Sequence, residues 1–258
     1  MADNTPSFGY DSPFTPSRPR KKRKNKPTQE HRNLPEALER TRQELLVGDW
    51  VHKCTKLLRD ALDALSLQSP PRVLCLGLGS PSSSRDARAQ LAFLLEVCDD
   101  LILERSNVSV YDPAFTDEDD QLLATLAMNR LPDSENRNAA YPLPEPNIVY
   151  MPHCDLHLYE NLLGANWSSD KLPQLVLIAN RFGEYLDSIP SHKLTAEHPR
   201  VSRIAPLLDS LVLPTCGPYP TAFNNLSIQF VRSSTLGSVD ADKLWKIDSP
   251  TAELRTVM

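Results

Sequence analysis

The 258 residues carry 28 Lys and Arg against 33 Asp and Glu, and no apolar run reaches the roughly 18 residues that a membrane-spanning helix needs. Five widely spaced cysteines (Cys54, Cys75, Cys98, Cys154, Cys216), none in a C-x-x-C pair, argue against a zinc ribbon and against a disulfide framework. What remains is the expectation of one substantial globular core, with reduced thiols inside the cell.

The first residues, "MADNTPSFGYDSPFTPSRPRKKRKNK", lack the apolar stretch of a signal peptide, so the expected location is the cytoplasm, the nucleus or both. Residues 1–33 are rich in Pro, Ser, Asn, Lys and Arg and too poor in apolar side chains to offset the entropy of ordering them; a disordered basic tail is expected. The run "RPRKKRKNKP" fits a nuclear-import signal or a solvated, solubilising tail equally. Without residues 1–26, which hold seven cations and two acids, the chain keeps 21 basic against 31 acidic residues. The body is acidic, so general nucleic-acid binding is not expected outside the tail.

From Leu34 the pattern becomes helical. Leu38, Leu45, Trp50, Cys54, Leu57, Leu58, Ala61 and Leu65 recur at spacings of three, four and seven, with Gly48-Asp49 dividing two helices and Pro70-Pro71 ending the second. "RVLCLGLGS" (72–80) reads as a buried strand entering a glycine turn, and "SRDARAQLAFLLEVCDDL" as a helix started by Ser84 or Asp86. "NVSVYDP" is a second strand ending at Asp112. "TDEDDQLLATLAM" is a helix whose first-turn acids face the positive end of its dipole.

After a proline-broken connection over residues 131–146, "NIVYMP" reads as a strand, "CDLHLYENLLGANW" as a helix starting at Cys154 or Asp155, and "LPQLVLIAN" as a strand ending at Asn180. "FGEYLDSI" is a short helix, and "RIAPLLDSLV" reads as one helix within a long loop. "NLSIQFVR" is the last strand and "DADKLWKI" a terminal helix. Four alternations of strand and helix predict a Rossmann-like three-layer α/β sandwich with a mostly parallel sheet, in one domain over residues 34–258 behind the helical lead-in.

In such sheets ligands bind at the carboxyl ends of the strands. Those ends carry the candidate ligand-binding residues Gly77, Gly79, Ser80, Asp112, His153, Cys154 and Asn180. "GLGS" before a helix can present N–H groups to a phosphate, and it resembles the glycine loop of methyl-donor-dependent methyltransferases, but the third glycine of G-x-G-x-x-G falls at Ser82. Asp112 stands where an acid holds a ribose. It lies 35 residues beyond Gly77, however, where the dinucleotide fingerprint expects about 20, and Asp before Pro also opens turns. His153 and His157 suit a metal only if the helix already begins at His153, and Pro152 disfavours that. Asp155 as a helix cap, with Leu158, Leu162 and Leu163 packed on the sheet, is the structural alternative. No catalytic residue, metal ligand or cofactor is assigned.

Four strings in this order, "GLGSPSSSRDARAQLAFLL", "VSVYDPAFTDEDDQLL", "MPHCDLHLYENLLGANW" and "LVLIANRFGEY", resemble the sensitivity-to-red-light-reduced (SRR-like) domain family over residues 72–187. The family's characteristic positions fall on Gly77, Gly79, Ser80, Gln90, Asp112, Pro113, Pro152, His153, Cys154, Asn161, Asn166 and Asn180; His157 is not among them. The resemblance implies a regulatory protein without established catalysis, working through protein partners. It also implies links to circadian and light signalling in plants and, elsewhere, to regulation of heme biosynthesis and to cytoskeletal phenotypes. The competing expectation is an enzyme or binder of a nucleotide-like ligand such as a methyl donor, placed at the Gly77 loop and Asp112.

Overall fold

The structure, a computed structural model, describes residues 33–132 and 140–247. The basic tail expected over residues 1–33 therefore lies, but for Asn33, outside the described residues. Those that are described fall in one compact unit beginning at Asn33.

Helices α1 (Leu34–Leu46) and α2 (Trp50–Leu65) are separated where Gly48 turns left-handed, with φ of 91°. Ser66, also left-handed, ends α2, and the Pro70-Pro71 pair delivers an extended chain into β1 (Arg72–Leu76). The order then runs α3 (Arg85–Asp100), β2 (Val108–Tyr111), α4 (Asp117–Thr125), β3 (Asn129–Arg130), β4 (Asn147–Met151), α5 (Leu156–Ala165) and β5 (Leu175–Asn180). Helices α6 (Phe182–Ser188), α7 (Ser191–Glu197) and α8 (Pro199–Ile204) follow, then β6 (Asp209–Val212), β7 (Leu226–Phe230), α9 (Ser233–Gly237) and α10 (Ala241–Trp245). None of the described helices is long and apolar enough to cross a membrane.

The seven strands form one sheet in the order β3-β2-β1-β4-β5-β7-β6. The first five run parallel, and β7 lies antiparallel to both β5 and β6. Because β1 has β2 on one side and β4 on the other, successive connections leave its end in opposite directions, which opens a crevice there.

Strand alternation divides the core in two. Val73 and Cys75 of β1 join Ile148 and Tyr150 of β4 beneath α1 to α4, where the Trp50 and Phe223 rings lie 4.6 Å apart and both touch Phe93. Leu74, Leu76, Val149 and Met151 face the other way, toward α5, α6 and α8, around the Tyr159–Phe182 ring pair. The expected three layers and mostly parallel sheet are present.

Two local expectations need correction, and two short elements had no expectation at all. "RIAPLLDSLV" is not one helix: α8 stops at Ile204, a 3-10 turn carries Pro206, whose missing N–H cannot extend the helix, and Asp209–Val212 is an edge strand. Helix α5 starts at Leu156 because Asp155 is its cap. The two-residue β3 and five-residue α9 are too short to leave a periodic signal.

Candidate functional site

At the end of β1 the chain turns through Gly77 and Gly79, with φ of 71° and 75°, values that side chains with a Cβ adopt rarely and at a cost. The Asp112 carboxylate fixes this loop: Oδ2 accepts the Gly79 N–H at 2.7 Å, and Oδ1 accepts the Ala114 N–H at 2.7 Å. Asp112 is buried, and each of its oxygens already serves the backbone. It therefore works here as the clasp between two loops.

Ser80 continues the loop into a lattice of hydroxyls around Asp119 in the first turn of α4. Asp119 Oδ2 accepts from Ser80 Oγ at 2.6 Å and from Thr116 N and Oγ1 at 2.9 Å, while Oδ1 accepts from Ser82 N at 2.8 Å. Burial alone would raise this carboxyl's pKa, but the Ser80 hydroxyl and the Thr116 and Ser82 donors outweigh it and hold the pKa below its ordinary value. Sequence reasoning placed Asp119 only among first-turn acids. The signal that marks it is the Thr116-x-x-Asp119 capping box.

At the end of β4, His153 adopts φ of 55°, which sends adjacent side chains apart. The exposed His153 ring reaches across to Ala222, its Nε2 3.2 Å from a carbonyl that also accepts from Gln90 Nε2 at 2.9 Å. Cys154 turns inward, its thiol donating to the Leu76 carbonyl at 3.3 Å. Its sulfur lies where a Cβ on Gly77 would stand, so the space opened by that glycine holds the protein's own side chain. Burial, reinforced by the Asp112 and Asp155 charges, pushes the Cys154 pKa up to about 12, which removes thiolate character at neutral pH.

Asp155 accepts the Leu158 N–H at 2.9 Å and caps α5. His153 thus precedes the helix that carries His157, and the i, i+4 pairing a metal would require is not formed. Among the described residues no three His, Cys, Asp or Glu side chains are placed to hold a metal ion.

Asn180, at the end of β5, donates from Nδ2 to the Cys154 carbonyl at 3.3 Å and to the Tyr185 hydroxyl at 3.0 Å. Its backbone N–H reaches the Tyr159 hydroxyl at 3.3 Å, which in turn donates to the Met151 carbonyl at 2.9 Å. Gly77, Gly79, Ser80, Asp112 and Cys154 therefore meet at the β1 end, Asn180 joins them through the Cys154 backbone, and His153 faces outward.

The loop over residues 213–225, unremarked in sequence reasoning beyond its prolines, borders this end of the sheet. Pro214 O accepts from Trp50 Nε1 at 2.7 Å, Thr221 donates to Asp86 at 2.7 Å, and Tyr219 donates to Glu44 beneath the Arg85 guanidinium.

The family model for the SRR1 domain matches residues 48–230. An SRR1-like protein of Mus musculus is 33% identical over 140 residues, 54% of this chain and 56% of the relative. Protein SENSITIVITY TO RED LIGHT REDUCED 1 of Arabidopsis thaliana is 30% identical over 125 residues, 48% of this chain and 45% of the relative. An SRR1-like protein of Drosophila melanogaster is 25% identical over 217 residues, 83% and 74% of the two chains. The aligned part thus spans about half the length of the mouse and Arabidopsis relatives. No solved structure matches.

Proposed function

This chain belongs to the SRR1 domain family, and from that premise we propose that it is a regulatory module over residues 34–258, binding protein partners in the cytoplasm or nucleus and catalysing no reaction. Its Arabidopsis relative is named for reduced sensitivity to red light, so light- or clock-linked signalling is the first process in which to place it. Regulation of heme synthesis, which the resemblance also implies, is the second.

The observation that supports a non-catalytic reading is the filling of the crevice from within. Cys154 Sγ occupies the space beside Gly77, and both Asp112 oxygens hold backbone N–H groups. A ligand phosphate or ribose would have to displace both.

The second reading, a nucleotide-like ligand such as a methyl donor, is favoured by the parallel order β3-β2-β1-β4-β5, that of dinucleotide-binding Rossmann sheets, with the glycine loop at the switch between β1 and β4. Thermal-shift titration with ATP, NAD and S-adenosylmethionine separates the readings. At 100 times its dissociation constant a ligand stabilises by about 2.7 kcal/mol, a rise in Tm of about 5–10 °C for a chain of this size. No shift is expected. A saturable shift with any of the three overturns the regulatory reading, and its loss in Asp112→Asn assigns the ligand to the crevice.

A further inference from the structure

Beside the filled crevice, at the same end of the sheet, lies a cavity of about 270 Å³ between the start of α6 and the 213–225 loop. Five polar side chains line it: Arg181, Glu184, Thr215, Asn224 and Asn225. All five residues are exposed, and none of these side chains is hydrogen-bonded or ion-paired to another described residue. The contrast with Asp112, Ser80 and Asp119, whose polar atoms are all engaged internally, is direct. The remaining wall is apolar, made by the buried Leu213, Cys216, Phe223 and Leu226 together with Val212 and Pro220.

The backbone fixes this arrangement. Arg181 N–H donates to the Asn225 carbonyl at 3.0 Å, where Asn225 takes a left-handed φ of 59°, so the residue after β5 and the residue before β7 are tied at the mouth. Arg181 and Glu184 stand one turn apart, carry opposite charges and make no ion pair with each other within 4 Å. A guanidinium and a carboxylate left separate on one small cavity suit a ligand that itself carries an anion and a cation a few bonds apart.

We propose that this cavity binds a small zwitterion of the α-amino-acid type. Its carboxylate lies on Arg181 with support from the Asn224 and Asn225 amides, its ammonium on Glu184, and an apolar side chain on Leu213 and Phe223. Arg181 matches a carboxylate in planar, two-pronged fashion. The volume equals that of roughly nine waters at about 30 Å³ each, enough for an amino acid with a medium aliphatic side chain. The site goes beyond the regulatory reading: it lies outside the crevice and supplies an effector pocket where that reading supplies none.

The test is calorimetric titration of the full-length chain with L-leucine, L-methionine, isocaproate, which lacks the ammonium, and isopentylamine, which lacks the carboxylate. Saturable binding of at least one amino acid is expected, with both truncated analogues weaker by about tenfold or more, as loss of a charged hydrogen-bonding partner requires. Arg181→Gln and Glu184→Gln each weaken the amino acid by a similar factor. Both positions are exposed, so both variants keep the wild-type Tm. Absence of saturable binding of either amino acid up to about 10 mM, ten times the dissociation constant that corresponds to about −4 kcal/mol, overturns the proposal. So does isocaproate binding as tightly as L-leucine, which would make the site a simple anion pocket, and so does binding indifferent to both substitutions. None of these results depends on the adenosine-compound screen, so this site and the regulatory reading fail separately.

Discussion

Replacing Asp119 by Asn keeps the side chain's shape and removes its charge. Four donors converge on that carboxylate at 2.6 to 2.9 Å, and the residue is fully buried. An amide has one acceptor oxygen, so at least one of the donors from Ser80, Ser82 and Thr116 is left facing an NH2 group. Hydrogen bonds to a charged partner contribute about 1.5–3 kcal/mol each, and they do not add fully when they share one acceptor. A net loss of about 3 kcal/mol at pH 7 follows, read as a lower midpoint at unchanged slope in urea unfolding.

The pH dependence sharpens the test. The carboxyl has a folded pKa held below its unfolded value of 3.8, so its contribution is complete above that value and is lost as pH falls through the folded pKa. Wild type and Asp119→Asn should therefore converge as the pH is lowered below about 4. A gap that stays constant from pH 7 to pH 3, or a cost under about 0.5 kcal/mol at pH 7, would refute the assignment of Asp119 as the charged hub between the glycine loop and α4.

Gly77→Ala forces a Cβ into Cys154 Sγ at a left-handed φ, and should cost about 3 kcal/mol from strain and overpacking together. In the Cys154→Ala background the steric part disappears, so the double-mutant cycle should show coupling of about 1–2 kcal/mol; strict additivity would place the sulfur elsewhere. Native protein treated with iodoacetamide at pH 8 should leave Cys154 unmodified, because its pKa is pushed up to about 12 and it is buried, whereas the denatured chain should label at every cysteine. Rapid native labelling of Cys154, located by peptide mass, would contradict the inward orientation.

The architecture was legible because its signals are periodic and local. The seven-residue step from Leu38 to Leu45 marks α1, the three- and four-residue steps among Trp50, Cys54, Leu57, Leu58 and Ala61 mark α2, and the run "RVLCL" followed by Gly77-Leu78-Gly79 marks β1. The candidate site was legible as a list of strand ends but not as an arrangement. Nothing local distinguishes an aspartate that awaits a ribose from one that clasps Gly79 N, since the partner lies 33 positions away. Cys154 looked available because its type is reactive; only the fold reveals that its sulfur fills the hollow of Gly77. The strand at Asp209–Val212 was hidden because an exposed edge carries no buried alternation, and "APLLDSLV" reads equally well in either period.

The 213–225 loop holds Trp50, Glu44, Asp86 and Gln90 from 132 to 175 residues away in sequence. Loop-closure entropy over such separations has to be met before those contacts contribute, so they form late. A nascent chain that has just completed β5 still lacks Phe223, so the faces of Trp50 and Phe93 on which that ring packs stay uncovered until the 213–225 loop has been made. Completion of that aromatic cluster is thereby made contingent on a segment synthesised well after the parallel strands, and this is the interval in which a chaperone would find exposed aromatic surface to hold.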